Sequence, residues 1–351
     1  MENPEQYRHC LVLAGGGFRF GYYLGVHAAA EETGNAPDIL LASCGGAIAA
    51  AVINALPDAA ARRAWVASPA MYEFLAAVQS TTRAAPLRAL ADIARRRLTG
   101  TPAPRIPDLH HDYLFELPAV LPLPPARTAT GPALAIVGGR LLYAPHEAGR
   151  ARAGRQLFEE VVFTSTRAAA LLDGAPAPAA DARWSSAAVA PMLAVDSAMP
   201  VADAARISIA DMYYFCCHEH GGRHYTGGVI DLFPIELAQR LARRVTMERK
   251  APFNSHLALP ALRAVMGIDG MARLDHVHAQ HADAWFDTRD VSHALRDHGI
   301  GKRIVWRENR IRLALPPTQA AYAAQIEAQW QYGYRKGRAA FATTGSRACA
   351  S

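Results

Sequence analysis

Residues 9–56 read HCLVLAGGGFRFGYYLGVHAAAEETGNAPDILLASCGGAIAAAVINAL, and this stretch decides the fold. Two short apolar runs, 9–14 and 38–43, have the composition of buried parallel strands. Each run ends in a glycine-rich turn, and each turn leads into an apolar helical segment. Strand, glycine turn and helix, repeated in this order, form the βαβ pattern, so we predict an α/β fold.

The composition is that of a globular chain. It has 351 residues, of which 51% are apolar and 19% charged, enough for a large buried core. The net charge of +6 is too small for a dedicated nucleic-acid binder, so we expect no nucleic-acid partner. Five cysteines are too few for a disulfide framework and favour a reducing compartment.

The first residues and the short length of the apolar runs lead us to expect a cytoplasmic protein. The first residues, MENPEQYRHC, lack the basic and apolar regions of a signal peptide. The longest apolar run, 45–56, is too short to span a bilayer. We therefore expect no transmembrane segment, while peripheral contact with a membrane stays open.

Beyond residue 56 we predict one continuous domain, 1–351. Residues 58–130, arginine-spotted and then proline-rich, are predicted to be a cap or lid over the site of the first segment. We predict a hairpin over 134–147 with its turn at two glycines, a strand over 159–166 and an exposed loop over 174–182. Residues 208–228 indicate strands with a turn at Gly221-Gly222, and helices are expected from 235 to 244 and over 317–340.

Three consecutive glycines, Gly15, Gly16 and Gly17, follow the first strand. Their backbone N–H groups can point into one cavity at a helix N-terminus and bind a phosphate or a developing oxyanion. A dinucleotide fingerprint needs a third spaced glycine where this chain has Phe20, and no Gly-Lys-Ser/Thr follows as a P-loop requires. The alternative is a tight turn without a ligand.

Cys44 occupies the corresponding turn after the second strand. Ala42-Ser43-Cys44-Gly45-Gly46 has the layout of a nucleophile elbow, with small residues around a central nucleophile. The helix that follows is expected to lower the pKa of the Cys44 thiol and favour the thiolate. The alternative is a buried structural cysteine.

Together, the two turns resemble the patatin-like acyl hydrolases. That family carries G-G-G-x-[R/K]-G, then G-x-S-x-G-A, then a distal D-G-G or D-G-A. The matching segments cover about residues 9–60 and 190–240, and VDSAMP (195–200) resembles the family's Ser-Ala-x-x-Pro segment. The matching motif residues here are Gly15-Gly16-Gly17-Phe18-Arg19-Phe20, Ala42-Ser43-Cys44-Gly45-Gly46-Ala47 and Thr226-Gly227-Gly228.

The resemblance implies a three-layer α/β/α fold with a central, mostly parallel sheet flanked by helices. It also implies an oxyanion loop at Gly15–Gly17, with Phe18 and Arg19 beside it, and a site completed by Gly45, Gly227 and Gly228. The family's catalytic dyad is serine and aspartate. Here Cys44 replaces the serine and Thr226 replaces the aspartate, so the inherited base is lost.

A substitute base is needed, because threonine accepts no proton at neutral pH. In an extended segment His224 lies on the same face as Thr226, which would allow a Cys–His pair with Cys44. The alternative is an ordinary loop histidine, since the chain has 14 histidines. His218 and His220 lie on the same stretch, and Asp231, Asp196 and Asp203 are weaker candidates.

Two functions from different classes remain open. The first is an acyltransferase or a thioester or ester hydrolase that uses Cys44 as a covalent nucleophile on a lipid-like acyl chain. The second is a catalytically silenced relative that binds a lipid or a protein partner. A redox-sensing cysteine is disfavoured because the sequence has no C-x-x-C pair.

No cofactor or metal is predicted. The strings CCHEH (216–220) and HVHAQH (276–281) contain metal-ligating residue types without the spacing of a zinc site. The expected partner is a small acyl thioester or lipid-like substrate, which an acyl carrier can deliver. Arginines at 62, 63, 88 and 95–97 would suit acidic carriers or anionic lipids, and the alternative is a solvated helix face.

Overall fold

A computed structural model describes residues 5–125 and 131–348, and the side chains up to residue 342. Its strands are β1 (Tyr7–Leu13), β2 (Ile39–Ala42), β3 (Gln79–Ser80), β4 (Phe115–Glu116), β5 (Ala133–Leu141), β6 (Phe158–Thr164), β7 (Ala194–Asp196), β8 (His218–His220), β9 (Arg223–Thr226), β10 (Ala242–Arg249), β11 (Ala284–Asp287), β12 (Gly301–Val305) and β13 (Arg310–Ala314). Its α-helices are α1 (Gly21–Glu32), α2 (Gly45–Ala55), α3 (Ala59–Val66), α4 (Pro69–Ala76), α5 (Pro86–Leu98), α6 (Thr166–Leu172), α7 (Val201–Ser208), α8 (Ile235–Leu241), α9 (Ala258–Ala261), α10 (Gly270–Ala279), α11 (Val291–Ala294) and α12 (Gln319–Ala348).

The central sheet is mostly parallel, as predicted. Its main order is β11-β10-β1-β2-β5-β6-β7, with β9 also paired to β5 and β8 paired to β9. The pairs from β11 across to β5 are parallel, and so is β6 with β7. The antiparallel pairs are β5 with β6, β5 with β9, and β8 with β9. The carboxyl ends of β1 and β2 are therefore neighbours, which brings the two glycine turns together.

Helices cover both faces of the sheet, which gives three layers. Successive side chains of a strand point to opposite faces. In β1, Cys10 and Val12 enter the core under α6, α8 and α10, whereas Leu11 and Leu13 enter the core under α1, α2 and α12. The predicted α/β class with a flanked central sheet is confirmed.

Helix α12, where the sequence indicated a helix over 317–340, packs closely on α1. A Cβ at Gly25 would collide with the Trp330 carbonyl, and one at Gly333 would collide with the Tyr22 carbonyl. These two glycines therefore let the backbones approach closely. Tyr332 is buried in the same contact.

The predicted hairpin over 134–147 is wrong, because β5 runs unbroken through Gly138 and Gly139. A Cβ at Gly138 would lie 2.9 Å from both Ile207 and Phe163, and one at Gly139 would lie 2.9 Å from Thr226. The two glycines therefore serve close packing inside a strand rather than a turn.

Two further predictions need correction. Residues 174–182 do not form an exposed loop, because Ala175, Ala177 and Ala179 are buried. The helix expected to reach 244 ends at Leu241, and the chain continues directly into β10. The predicted turn at Gly221-Gly222 is confirmed, since both glycines have positive φ and join β8 to β9.

Residues 58–125, most of the predicted cap, contribute α3, α4, α5, β3 and β4. Met71, Phe74 and Leu75 from α4 line the same cavity as the glycine loop after β1, and so do Phe115 and Leu117. Residues 126–130 of the predicted cap lie outside the described residues.

Candidate functional site

Cys44 lies on a strained turn between β2 and α2. Its backbone has φ 52° and ψ −126°, a conformation that non-glycine residues rarely adopt. The two residues that follow Cys44 must be glycines. A Cβ at Gly45 would collide with the Gly17 carbonyl, and a Cβ at Gly46 would collide with the Leu13 carbonyl. Strand, strained residue and helix together have the geometry of a nucleophile elbow.

Hydrogen bonds from distant segments hold this turn in place. The Cys44 N–H donates to Ser208 Oγ at 2.9 Å, and Ser208 Oγ donates to the Val137 carbonyl at 2.7 Å. The Ser43 hydroxyl donates to the Asp231 carbonyl at 2.8 Å. Because strain persists only where the surroundings enforce it, these bonds explain how Cys44 keeps its conformation.

The glycine loop faces the Cys44 sulfur. The backbone N–H groups of Gly17 and Gly45 lie close enough to this thiol to favour its charged form and lower its pKa. A Cβ at Gly15 would lie 3.5 Å from Cys44 Cβ, so the loop passes directly beside the thiol. One N–H from the residue after the nucleophile and one from a neighbouring loop form the usual donor pair of an oxyanion hole.

A buried polar network contacts the glycine loop at the Gly15 carbonyl. Glu248 is fully buried and accepts hydrogen bonds from Tyr22 (2.8 Å), Tyr23 (2.8 Å) and Thr288 (2.5 Å). Lys250 lies 3.5 Å from Glu248 and donates to the Gly15 carbonyl. The Gly15 carbonyl and the Gly16 N–H belong to one trans peptide and point in opposite directions. The hydrogen bond from Lys250 to this carbonyl therefore also fixes the direction of the Gly16 N–H. Nothing in the sequence pattern had indicated Glu248 or Lys250.

Phe18 and Arg19 line the wall of the cavity that contains Cys44. Phe18 contacts Phe215 edge to face, with ring centroids 6.1 Å apart. Arg19 Nε is buried and has no hydrogen-bond partner among the described residues.

Thr226, Gly227 and Gly228 pass beside the elbow. The buried Thr226 hydroxyl donates to the Ala210 carbonyl at 3.3 Å, and the Gly227 N–H donates to the same carbonyl. A Cβ at Gly228 would lie 2.9 Å from the Cys44 nitrogen, so glycine is required here. Thr226 thus has a structural role and accepts no proton from Cys44.

His224 does not reach Cys44, contrary to the prediction. It is not among the cavity-lining residues, and its ring instead contacts that of His110, with centroids 4.6 Å apart. His218 and His220 lie 3.8 Å and 3.7 Å from Asp203. The β8–β9 hairpin carries these side chains away from the elbow.

The other weak candidates for the base are also occupied elsewhere. Asp231 forms an ion pair with Arg273 at 2.9 Å, and Asp196 accepts hydrogen bonds from the N–H groups of Ala198 and Met199.

The pKa of Cys44 is raised to about 12, which reverses the prediction of a low value. Burial is the largest cause, and the negative charge of Asp211 adds to it. The N–H groups of Gly45 and Gly17 and the charge of Lys250 act in the opposite direction. A helix N-terminus stabilises an anion by at most about 2 kcal/mol. A rise from 9.0 to about 12 corresponds to about 4 kcal/mol, so burial dominates.

Asp211 is an acidic residue in this cavity that the sequence motifs did not indicate. It lines the same cavity as Cys44, and its pKa is raised to about 6, chiefly by burial. Lys302 and the N–H groups of Tyr213 and Tyr214 limit this rise. Asp211 is therefore mostly ionised at pH 7 and able to accept a proton. No local motif marks it, because only the tertiary fold brings residues 44 and 211 together.

The cavity above Cys44 has a volume of about 430 Å³. Its floor is the glycine loop and the elbow, and its polar side chains are few, chiefly Arg19, Asp211 and Lys302. The remaining wall is apolar and combines residues of α2, of the predicted cap and of the segments that follow α7 and precede β12: Ile48, Met71, Phe74, Leu75, Phe115, Leu117, Ile209, Phe215, Val229, Leu232 and Ile300. Such a wall suits an apolar ligand.

Comparison with known proteins gives no match, either to a family model or to a curated protein. Across the two described ranges, no helix combines the length and apolarity that crossing a membrane would demand.

Proposed function

We propose that this chain is a patatin-like acyl-processing enzyme in which Cys44 forms a thioester with an acyl chain. The supporting observation is the strained Cys44 at the floor of an apolar cavity, close to the backbone N–H groups of Gly17 and Gly45. A binding pocket alone has no need of a strained thiol with two convergent donors.

Asp211 is the proposed general base. At pH 7 a free Cys44 thiolate lies about 7 kcal/mol above the thiol, given a pKa of about 12. The thiol proton must therefore leave as the new bond forms, which calls for a base in the same cavity. Asp211 meets this need in place of the aspartate that Thr226 replaces.

The reaction then has two balanced halves. Cys44 Sγ bonds to the substrate carbonyl carbon while its proton passes to Asp211, and the N–H groups of Gly17 and Gly45 stabilise the oxyanion. The bond to the leaving thiol or alcohol breaks, and that group takes the proton from Asp211. In the second half an acceptor, either water or an amine, alcohol or thiol, gives its proton to Asp211 and bonds to the thioester carbonyl carbon. The bond from that carbon to Cys44 Sγ then breaks, and Asp211 returns the proton to Sγ, which restores the thiol and the carboxylate.

The proposed substrate is a lipid-like acyl chain held as a thioester or ester, alone or on an acyl carrier. The apolar cavity wall supports the acyl part of this proposal. Helix α5 carries the exposed side chains Leu87, Leu90 and Leu98 and an arginine-rich last turn, a composition that suits contact with an anionic membrane surface. The proposed location is the cytoplasm, where thiols such as Cys44 stay reduced.

A second candidate function is a silenced relative that binds a lipid without turnover. The raised pKa of Cys44 and the engagement of Thr226 with Ala210 favour it. Slow alkylation of Cys44 is expected under both functions, so alkylation alone does not separate them.

The deciding experiment is the intact mass of the protein after incubation with acyl thioesters and activated esters of graded chain length. We expect a mass increase of one acyl group on wild type and none on Cys44→Ala. The matched control is Cys216→Ala, which removes another partly accessible thiol and should keep the adduct. If no donor acylates the wild type, yet a fluorescent fatty acid still binds in the cavity, the enzyme proposal fails and the binding protein stands.

A further inference from the structure

Three potential metal ligands converge outside the Cys44 cavity. They are His110, Cys217 and His224, all partly buried, and one donor atom from each lies within 4.8 Å of the other two. Cys217 Sγ lies 3.2 Å from His110 Nδ1, and the rings of His110 and His224 have centroids 4.6 Å apart at 89°. Two nitrogen donors and one sulfur donor are the ligand set that zinc prefers.

The distances are close to those of an occupied site. Zinc bonds of about 2.3 Å to sulfur and 2.0–2.1 Å to nitrogen place tetrahedral ligands roughly 3.5 Å apart. The separation between Cys217 Sγ and His110 Nδ1 is already near this value. The donor atom of His224 lies within 4.8 Å of the other two donor atoms.

The His110 ring directs one nitrogen at Cys217 and has a second nitrogen without a protein partner among the described residues. His110 Nε2 is buried and has no hydrogen-bond partner in the described part of the chain, so no protein group occupies the second nitrogen.

We propose that His110, Cys217 and His224 bind one zinc ion, with solvent in the fourth position. The ligands come from the predicted cap, from the segment after α7 and from β9, so the ion would cross-link the cap to the β8–β9 hairpin. The Cys217 N–H already donates to the Leu109 carbonyl at 3.1 Å, which holds two of these segments in register. This site does not depend on the chemistry of Cys44.

Local sequence patterns did not indicate this cluster, because two of its members come from segments about 107 residues apart. Of the string 216–220, only Cys217 belongs to the cluster, and the histidines come from positions 110 and 224. Cys216 lies outside it, which provides a matched control of the same residue type next to the ligand.

The test is zinc binding by the full chain after removal of metal with a chelator. Competition with a chromophoric chelator should give one equivalent of tightly bound zinc for wild type and for Cys216→Ser. Cys217→Ser and His224→Gln should each bind at least about 100-fold more weakly, since loss of even an indirect ligand partner weakens metal binding by 10–100-fold. Far-ultraviolet circular dichroism checks that each metal-free variant is folded.

Cobalt substitution of the wild type gives a second readout that needs no variant. A thiolate-to-cobalt charge-transfer band is expected with Co²⁺, and zinc should abolish it. The proposal is overturned if the wild type binds no zinc at micromolar concentration, or if cobalt gives no thiolate band. Equal affinity of Cys217→Ser and wild type would also overturn it and would leave a simple Cys–His hydrogen bond.

Discussion

Replacing Asp211 with asparagine should change two reactions of Cys44 in opposite directions. The negative charge of Asp211 raises the pKa of Cys44, so Asp211→Asn should increase the thiolate fraction and accelerate alkylation by iodoacetamide. The same change removes the proposed base, so acylation of Cys44 by a bound thioester should slow by about 10²–10⁴-fold. A purely structural role for Asp211 would move both rates in the same direction.

The expected alkylation and acylation rates of the wild type follow from the pKa values of Cys44 and Asp211. With a pKa of about 12 instead of 9.0, Cys44 has about a thousandfold less thiolate at pH 7, so alkylation should be about that much slower than for an ordinary cysteine. Asp211, with a pKa of about 6, is the base only when ionised. Acylation should therefore rise about tenfold from pH 5 to pH 7 and then level off.

Both rates can be measured on intact protein by quenched-flow mass spectrometry across this pH range. Asp203→Asn is the matched control, because Asp203 lies at the surface beside His218 and His220, and it should keep both wild-type rates. Unchanged acylation in Asp211→Asn, with the wild-type rise between pH 5 and pH 7 intact, would refute the assignment of the base.

Three further changes test the elbow, the cavity and the supporting network. Cys44→Gly should be about 0–2.5 kcal/mol more stable than Cys44→Ala in urea unfolding, because glycine relieves backbone strain of about 1–3 kcal/mol, less an entropy difference of about 0.5–1 kcal/mol; a glycine variant less stable than the alanine variant would mean that φ 52° is not strained. Phe74→Trp should shift the acyl-chain profile in the mass assay toward shorter donors, because the larger ring fills the cavity wall, whereas an unchanged profile would remove Phe74 from the acyl path. Tyr23→Phe should lower the free energy of unfolding by about 1–3 kcal/mol, since buried Glu248 and the Ala14 carbonyl lose a hydroxyl partner, and a loss below about 0.5 kcal/mol would contradict that role.

Local features allowed part of the fold to be predicted. Two apolar runs that end in glycines predicted β1, β2 and the helices after them, because strand burial and turn conformation depend on neighbouring residues. Local pattern failed where packing overrides it. Gly138 and Gly139 indicate a turn but lie inside β5. Strand β10 lies inside the sheet and yet carries Glu248, whose carboxylate accepts hydrogen bonds from the Tyr22 and Tyr23 hydroxyls.

For the candidate site, the sequence by itself determined the two turns and the thiol between them. The glycine loop and the Cys44 turn could be found because each is a contiguous motif. Their glycines stand where the backbone passes too close to other atoms for a side chain. Only the tertiary structure decided the rest: the high pKa of Cys44, the proximity of Asp211, and the meeting of His224 with His110 and Cys217 rather than with Cys44. Burial and charge at a site depend on side chains far apart in the chain, and a local pattern carries no information about which of them meet.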